Sequence, residues 1–389
     1  MASPTPQIIT TSAKPPSPST HSQKPWSHHL TLDLCLRVLH RTILNPGIAW
    51  ILVLCLRAQV TPVTDPAFVL AIGYALLLTL LFVLRIVNQR VAYGLPRAVD
   101  VARDEVVVIT GGASGLGLLI AQMYGMRGAS VAVLDVADLG SSEEEEEVLG
   151  EGVGYYRCDV GDRGQLEDVK RRIVEELGPP TILVNCAAAR INGHPLLVLP
   201  AEEFEKTIRT NLLAAFHLYQ IFVPGMISAE NGGTVVTVSS VLGQLSPAGL
   251  SDYSASKAGL SALHRTIQAE LQRYEQIKTL LVEIGQMSTP LFDWVRTPND
   301  FFAPVLETVE VARDVVAAID SGRGGVIRLP AFAALVNWYA VLPVAVQRFA
   351  RHLSGIDSAV SHGRRNSQLR GRKLPQPSGR MPKGNRRTS

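Results

Sequence analysis

The apolar residues of this chain follow two different patterns. Before residue 100 they form two nearly uninterrupted runs, residues 43–56 and 68–87. From Glu105 onward, short β-branched runs alternate with longer amphipathic stretches. That alternation predicts a parallel sheet covered by helices on both faces. The expected fold class is therefore α/β, a doubly wound parallel sheet with N-terminal membrane segments.

The second apolar run has the length of a transmembrane helix. It contains 20 residues with one charge, Arg85, and a span needs about 20 apolar residues. The first run has 14 residues, including Pro46 and Gly47, and would cover only ~21 Å as a helix. The two runs predict either a membrane hairpin or one span with an interfacial helix. A buried helix is the third interpretation of the first run.

Basic residues lie outside the two runs rather than between them. Lys14, Lys24, Arg37 and Arg41 precede the first run, Arg85, Arg90, Arg97 and Arg103 end or follow the second, and the connection holds only Arg57. Positively charged flanks favour the cytoplasmic side of a membrane. Both outer flanks, and the domain that follows, are therefore expected to face the cytosol.

Seven strands and five helices are predicted after residue 104. The strands are residues 105–110, 130–135, 154–158, 181–185, 234–239, 279–284 and 325–329, and the helices are residues 115–127, 163–177, 201–227, 252–275 and 308–321. An acidic run at 143–147 lies where a helix should connect the second and third strands. It predicts a shortened helix and an acidic surface loop.

Composition divides the rest of the chain. Residues 1–29 are rich in Pro, Ser and Thr and are expected to be disordered. They precede an anchoring region at 30–98, the α/β domain at 99–330, an apolar extension at 331–362 and a basic tail at 363–389. Asn337 and Pro343 interrupt the apolar stretch 331–346, which predicts an interfacial or pocket-covering segment.

Charge and cysteine content exclude several function classes. The net charge of +3 over 389 residues is small, and no nucleic-acid partner is predicted. The tail from residue 363 carries nine Lys or Arg and no acid, which suits anionic lipid or simply solvates the tail. The four cysteines have no metal-ligand spacing and are expected to be free thiols in a reducing compartment. No metal site is predicted.

A glycine-rich turn joins the first strand to the first helix. Gly111, Gly115 and Gly117 lie there with Ser114 and Leu116. Glycines allow a sharp turn and let a pyrophosphate approach the helix N-terminus, where free N–H groups favour an anion. The turn therefore predicts a dinucleotide-binding site.

Asp135 ends the second strand, 24 positions after Gly111. A carboxylate at this position bonds the adenosine ribose hydroxyls and repels a 2′-phosphate. Asp135 therefore favours NAD over NADP, and a strand-end cap is its alternative role.

Tyr253 and Lys257 are the candidate acid–base pair. Residues four positions apart lie on one face of a helix, where an ammonium can lower the pKa of a phenol. Tyr253 would then act as an acid or a base near neutral pH. Ser240, thirteen positions before Tyr253, can hold a substrate oxygen by a hydrogen bond.

These motifs, in this order and spacing, resemble the short-chain dehydrogenase/reductase family. Residues 110–117 match the family's TGxxxGxG, and Ser240, Tyr253 and Lys257 match its catalytic serine and YxxxK. The resemblance covers roughly residues 100–330. It implies a Rossmann-type fold and an enzyme that moves a hydride between a nicotinamide and a carbon bearing oxygen.

The resemblance also implies roles for other residues. Lys257 would bond the nicotinamide ribose, and Asn211 would hold a water that connects Lys257 to solvent. The cofactor-binding positions that carry over are Asp159 for the adenine amino group, Val160 for the adenine ring, Asn185 for pinning neighbouring strands and Thr289 for the nicotinamide carboxamide. The chain departs from the family at Cys186 and Ala188, after Asn185.

Within the family, the chain resembles the branch of membrane-bound retinol dehydrogenases and lipid-droplet hydroxysteroid dehydrogenases. The features that carry this resemblance are the N-terminal membrane segments, the sequence Cys158-Asp159-Val160 and the apolar extension. This branch implies a retinoid, steroid or long-chain lipid substrate, an endoplasmic reticulum or lipid-droplet location, and is compatible with a homodimer. The loops expected to face substrate, residues 191–200, 241–250 and 289–305, are mostly apolar.

Two alternatives remain. An NADPH-dependent ketoreductase of lipid biosynthesis is disfavoured by Asp135. A non-catalytic membrane or lipid-droplet scaffold is disfavoured by the intact set of Ser240, Tyr253, Lys257 and Asn211.

Overall fold

The computed structural model of this chain describes residues 30–99, 105–140, 148–150, 152–292, 295, 299 and 301–360. The N-terminal arm, the acidic run at 143–147 and the basic tail lie outside the described residues. So does part of the third substrate-facing loop.

Seven parallel strands form one sheet in the order β3-β2-β1-β4-β5-β6-β7. They are β1 (Val106–Thr110), β2 (Ser130–Asp135), β3 (Val153–Arg157), β4 (Ile182–Asn185), β5 (Gly233–Ser240), β6 (Ile277–Ile284) and β7 (Gly325–Leu329). This confirms the doubly wound parallel sheet, including its seventh strand. The strand order reverses between β1 and β4, and ligands of such sheets bind at the carboxyl ends of the strands at this point.

Helices cover both faces of the sheet. In chain order they are α4 (Gly115–Gly125), α5 (Arg163–Glu176), α6 (Ala201–Ile208), α7 (Ala214–Ser228), α8 (Leu242–Leu245), α9 (Ser251–Leu271) and α10 (Thr308–Asp320). One hydrophobic core lies under α4 and α10, and a second lies under α5, α7 and α9. Because both faces are covered, β1, β4 and β5 are buried along their whole length.

The long helix predicted at 201–227 is divided in the structure. A π-helical turn, Arg209–Leu213, separates α6 from α7. Such turns insert an extra residue and recur at functional sites. Here the turn contains Asn211, whose side chain is buried against the helix that carries Tyr253.

Three helices precede the sheet: α1 (Leu32–Arg41), α2 (Pro46–Ala58) and α3 (Pro66–Tyr93). α3 is 28 residues long and apolar enough to cross a membrane, and α1 and α2 together pass the same test as a pair bent by 48°. α2 packs on α3, and Trp50 Nε1 donates to Thr79 Oγ1 over 3.0 Å. The sequence pattern had not predicted α1.

The N-terminal helices contact the α/β domain at both ends of the edge strand β7. Just before β7, the Arg97 backbone N–H donates to the Gly322 carbonyl over 2.8 Å, and the Arg97 guanidinium makes a buried 3.0 Å ion pair with Glu105. Just after β7, the Asp33 carboxylate of α1 accepts from the Ala331 backbone N–H over 2.6 Å. The anchoring region is therefore packed on the domain at two points.

The C-terminal extension forms two short helices, α11 (Ala333–Tyr339) and α12 (Val344–Ser354). Pro343 lies at the break between them, as the sequence predicted. Asn337, the polar residue that interrupts the apolar stretch, lies inside α11. Ala333 and Val336 of α11 are buried against Val241, directly after β5. The extension thus covers the strand end that carries Ser240.

Candidate active site

The glycine turn is shaped by backbone contacts that leave no room for side chains. Gly111 has a φ of +67°, and a Cβ there would lie 2.7 Å from the Ala187 Cα. A Cβ on Gly117 would lie 2.5 Å from the Gly111 carbonyl oxygen. Ser114 is the N-cap of α4, and Leu116 is buried in its first turn. The turn therefore brings backbone close to the N-terminus of α4, as a pyrophosphate site needs.

Asp135 braces this turn. Its Oδ2 accepts from the Ala113 N–H over 3.0 Å, and its Oδ1 accepts from the Ala137 N–H over 3.1 Å. A carboxylate offers about four acceptor sites, so both oxygens retain capacity for ribose hydroxyls. These two hydrogen bonds correspond to the strand-end cap that the sequence offers as the alternative role of Asp135.

Thr110 connects the ends of β1 and β4. Its Oγ1 accepts from the N–H groups of Cys186 and Ala187, each over 3.2 Å, and donates to Asn185 Oδ1 over 3.3 Å. Burial raises the pKa of the Cys186 thiol to about 12, so it is a poor nucleophile. The sequence had included Thr110 in the motif without assigning it this role.

Asp159 and Val160 lie after β3. Asp159 Oδ1 accepts from the Gly161 N–H over 2.9 Å, and its Oδ2 lies 3.9 Å from the Arg209 guanidinium. Val160 is buried in the second core. Arg209 opens the π-helical turn, and its pairing with Asp159 could not be read from the sequence because 50 residues separate them.

Ser240 and Tyr253 are brought together at the end of β5. Ser240 Oγ donates to the Ile284 carbonyl over 3.1 Å and accepts from the Leu242 N–H over 3.2 Å. Ser240 also lies close enough to the Tyr253 hydroxyl to lower the pKa of the tyrosine. Tyr253 is buried, with its ring perpendicular to Phe292 at a centroid distance of 5.9 Å. A substrate oxygen bound here would meet both hydroxyl groups.

Lys257 lies one helical turn after Tyr253. Its Nζ donates to the Val238 carbonyl over 2.9 Å and lies 5.7 Å from the centre of the Tyr253 ring. Burial lowers the pKa of Lys257 to about 8. Burial raises the pKa of Tyr253, and Ser240 opposes this only in part. The expected lowering of the tyrosine pKa by Lys257 is not found in this structure, where the desolvation of Tyr253 dominates.

Asn211 connects the turn after β4 to α9. Its Oδ1 accepts from the Ala189 N–H over 2.7 Å, and its Nδ2 donates to Ser256 Oγ over 2.9 Å. Ser256 in turn donates to the Tyr253 carbonyl over 2.7 Å. Both ends of the amide are thus engaged by protein atoms, which adds a bracing contact to the predicted contact with water.

Two buried polar atoms face the dinucleotide side without a partner among the residues that the structure describes. They are Thr289 Oγ1 and Asn185 Nδ2. The Thr289 Cγ2 lies 3.6 Å from where a Cβ on Gly115 would be, so Thr289 is beside the glycine turn. Buried polar groups nearly always have partners. These atoms, the glycine cradle and Asp135 together fit a nicotinamide dinucleotide.

The substrate side of Tyr253 is apolar. Ile191, Leu250, Phe292 and Val360 form a buried cluster with the tyrosine. Sequence reasoning had not identified Val360, which reaches this cluster from the end of the C-terminal extension.

Asp252 is a second residue that the sequence analysis missed. This buried carboxylate accepts from Asn192 Nδ2 over 2.8 Å and from Thr207 Oγ1 over 3.0 Å. It thereby holds the loop after β4 and helix α6 at the start of α9. The available signal was an acid directly before Tyr253 in an apolar region. No group of three or more His, Cys, Asp or Glu suited to a metal occurs in the described ranges.

Comparisons with known proteins agree with this geometry. A family model described as short chain dehydrogenase matches residues 105–300. Retinol dehydrogenase 10 of Homo sapiens is 33% identical over 255 residues, covering 58% of this chain and 74% of that protein. Short-chain dehydrogenase/reductase 3 of Bos taurus is 29% identical over 295 residues, covering 75% and 96%. An uncharacterized oxidoreductase of Saccharomyces cerevisiae, TDA5, is 30% identical over 264 residues, covering 66% and 78%.

Proposed function

This chain belongs to the short chain dehydrogenase family, whose members are NAD(P)-dependent oxidoreductases, and we propose that it is a membrane-bound enzyme acting on a lipophilic alcohol or ketone. The observation that carries the proposal is that Ser240 and Tyr253 lie together at the carboxyl end of β5, with the Tyr253 ring inside an apolar cluster. A polar pair in an otherwise apolar recess suits a substrate with one oxygen on a hydrocarbon frame.

The cofactor, when bound, supplies or accepts the hydride at the carbon that carries the substrate oxygen. We assign Gly111, Ser114, Gly115, Leu116 and Gly117 to its pyrophosphate, Asp135 to its adenosine ribose, and Asp159 and Val160 to its adenine. Asn185 and Thr289 lie on the nicotinamide side.

Side chains of the protein transfer the proton to or from the substrate oxygen. In the reductive direction Tyr253 gives its hydroxyl proton to the carbonyl oxygen as the hydride reaches the carbon. In the oxidative direction it takes the proton of the alcohol. Ser240 holds the same oxygen and stabilises its developing charge. Burial keeps Tyr253 protonated at neutral pH in this structure, which is the form that donates.

Lys257 and Asn211 complete the proposed set. The Lys257 ammonium lies close enough to Tyr253 to favour the phenolate that forms after proton donation. Asn211 positions the helix of Tyr253 through Ser256 and is assigned to a water that would return the proton from solvent.

A lipophilic substrate is supported by two findings. The side chains of Ile191, Leu250, Phe292 and Val360 surround Tyr253 with apolar surface. One relative, 33% identical, is named retinol dehydrogenase 10. We therefore propose a retinoid, a steroid or a long-chain lipid as the substrate class.

NAD is the proposed cofactor in preference to NADP. The carboxylate of Asp135 ends β2 beside the glycine turn, where a 2′-phosphate would meet a negative charge. Arg157, which lies opposite Asp135 on the neighbouring strand β3, is paired with Asp138 over 2.9 Å.

We place the enzyme on the endoplasmic reticulum membrane or a lipid droplet, with its catalytic domain facing the cytosol. The apolar helix α3 supports membrane attachment, and the basic residues outside residues 43–87 support this orientation.

A substrate screen tests the proposal. The purified full chain in lipid nanodiscs would be given retinoids, steroids, long-chain alcohols or ketones, and small water-soluble carbonyl compounds, with NAD(H) and NADP(H) separately. Formation or loss of the reduced nicotinamide absorbance is the measurement, and the Tyr253→Phe protein is the control for contaminating activity. We expect turnover of at least one lipophilic class with NAD(H). Turnover confined to small water-soluble carbonyl compounds would refute the substrate class.

A further inference from the structure

Helix α12 is amphipathic, but it packs on the domain with its polar side. Gln347, Ala350 and Arg351 are its least exposed positions. Phe349 and Leu353 lie on the opposite side and are 66% and 76% exposed. A helix at the surface of a globular protein normally turns its apolar stripe toward the core. The reversed orientation of α12 therefore needs an apolar partner outside the described residues.

Hydrogen bonds fix this orientation. The Arg351 guanidinium donates to the carbonyl of Leu245 over 2.6 Å and to that of Ser246 over 3.1 Å. It also donates to the Asp357 carboxylate over 2.9 Å. Asp357 accepts from the Ala248 N–H over 3.1 Å. Because the Arg351 guanidinium makes four hydrogen bonds, two to backbone carbonyls and two to the Asp357 carboxylate, α12 cannot rotate to bury Phe349 without breaking them.

The apolar surface continues onto α11. Trp338 is 71% exposed, and Leu335 and Val341 beside it are also exposed. The other side of α11 is the one that packs on Val241. We call the outward side of both helices, formed by Leu335, Trp338, Val341, Val346, Phe349 and Leu353, the C-terminal apolar surface.

The charged residues directly beside the apolar stripe of α12 are basic. Residues 331–356 contain no Asp or Glu, and the exposed Arg348 and His352 lie beside the apolar stripe of α12. An amphipathic helix with an apolar stripe and basic flanks is the form that lies in the headgroup region of a membrane. Anionic headgroups would complement the basic flanks.

The surface also adjoins the N-terminal membrane region. Asp33 of α1 accepts from the Ala331 N–H, and the Leu32 N–H donates to the Phe301 carbonyl over 3.0 Å. Ala331 is two residues before α11 begins, and α1 leads into α2, which packs on α3. Helix α1 thus contacts the segment that leads into α11.

We propose that the C-terminal apolar surface lies in the headgroup–acyl boundary of the same membrane that α3 enters. This surface is a second membrane contact, separate from the N-terminal helices. Its partner is the lipid itself, because the basic rim and the contact with α1 both suit a bilayer.

The second contact lies beside the active site. Arg351 holds residues 245 and 246, in the segment that leads to Tyr253, and Val360 belongs to the apolar cluster of the tyrosine. If the proposed lipophilic substrate is correct, on which this step rests, the substrate enters from the lipid phase next to α12.

Site-directed labelling tests the membrane contact. In the full chain with Cys35→Ser and Cys55→Ser, an environment-sensitive fluorophore is attached at Phe349→Cys or Leu353→Cys. Nanodiscs holding one chain each, made of phosphatidylcholine and phosphatidylserine, carry nitroxide-labelled lipids as quenchers. The matched control is Met126→Cys, which is 81% exposed on the turn after α4.

We expect blue-shifted, several-fold quenched emission at 349 and 353, and unquenched emission at 126. Emission at 349 and 353 that resembles the control would overturn the membrane contact. Quenching that requires two chains per disc would overturn it in favour of a second copy. Because the fluorescence measurement needs no substrate, it tests the membrane contact independently of the proposed function.

The entry route has its own measurement. Phe349→Asp with Leu353→Asp should raise KM for a membrane-dissolved substrate several-fold and leave dinucleotide affinity unchanged. Met126→Asp is the matched control and should leave both unchanged. An unaltered KM in the double variant would refute substrate entry beside α12. Absence of turnover in the unmodified protein would instead refute the proposed function.

Discussion

At the scale of single residues, the proposed chemistry depends on how burial changes the Tyr253–Lys257 pair. Removing water disfavours the charged form of both groups, so the pKa of the tyrosine rises and that of the lysine falls to about 8. At neutral pH Tyr253 is therefore neutral, whereas Lys257 is still mainly an ammonium. Ser240 partly offsets the effect of desolvation on the pKa of Tyr253.

Replacing the proposed proton donor should stop turnover. Tyr253→Phe removes the hydroxyl and keeps the ring against Phe292, so the fold and the dinucleotide site should persist. General acid–base groups contribute about 10²–10⁴-fold to rate, and we expect a loss of this size in kcat. Steady-state kinetics and a fluorescence titration with NADH measure the two effects. Wild-type turnover in this variant would refute the assigned mechanism.

Cofactor choice should follow Asp135. Titration of the unmodified protein should show tighter binding of NADH than of NADPH, because the carboxylate repels a 2′-phosphate. Asp135→Ala should narrow or reverse this difference. It should also lower the melting temperature slightly, because the Ala113 and Ala137 N–H groups lose their acceptor. A strong NADPH preference in the unmodified protein would contradict the proposal.

Dinucleotide affinity should depend on pH through Lys257. Its pKa is lowered from 10.5 to about 8 in the free protein. If binding requires the ammonium, affinity is unaffected by this group below pH 8 and falls as pH rises above it, by about tenfold per pH unit. NADH titrations from neutral to alkaline pH measure the slope. Lys257→Met should remove the pH dependence of NADH affinity above pH 8, whatever the affinity of the variant is. An unchanged pH dependence in that variant would disprove the link to Lys257.

At the scale of elements, the turn between β1 and α4 is the most tightly specified part of the fold. Its glycines are required by close backbone approach: Gly117 packs on Gly111, and Gly111 packs on the segment after β4. Thr110 joins the same two strand ends through its hydroxyl group. The pairing of β1 with β4, the glycine turn and the start of α4 are thus coupled, so that a change in one of them displaces the others.

A methyl group at Gly117 should disrupt this unit. Its Cβ would lie 2.5 Å from the Gly111 carbonyl oxygen, so the backbone must shift, at a cost of about 1–3 kcal/mol. Gly117→Ala should lower the melting temperature and weaken NADH binding. Gly225→Ala in α7 is the control, since no described atom lies within 4 Å of its added Cβ. Equal behaviour of the two variants would contradict the close-approach argument.

At the scale of the whole molecule, the membrane region and the α/β domain are packed together. The Arg97–Gly322 backbone bond and the Asp33–Ala331 contact join the N-terminal region to the two ends of β7. The position of the α/β domain relative to the N-terminal helices is therefore set by packing contacts and is not left to a flexible linker.

Membrane topology can be measured directly. With residues 43–87 holding the protein on the membrane and both flanks cytosolic, protease added outside sealed microsomes should remove the N-terminal arm and degrade the catalytic domain. Detergent-opened vesicles provide the control for full digestion. Protection of the catalytic domain in sealed vesicles would show that the orientation is reversed. Deleting residues 1–90 should weaken attachment, with residual binding through the C-terminal apolar surface.

The sequence by itself determined the class of fold. The strand and helix alternation and the glycine turn predict the doubly wound sheet because these patterns are local, with fixed periods of two and 3.6 residues. The seven predicted strands occur in the structure, with ends within two residues of their expected positions. The spacing of Ser240, Tyr253 and Lys257 indicated the family for the same reason.

Only the tertiary structure decided what depends on distant residues and on burial. Asp252 bonds residues 60 and 45 positions away, and Arg351 reaches Leu245 across 106 positions. The spacing of apolar and polar residues along the chain does not predict contacts between such distant residues. The direction of the tyrosine pKa shift likewise depends on how completely Tyr253 is buried. The outward apolar side of α12 follows from the position of Arg351, because a helical pattern specifies a stripe but not which way the stripe faces.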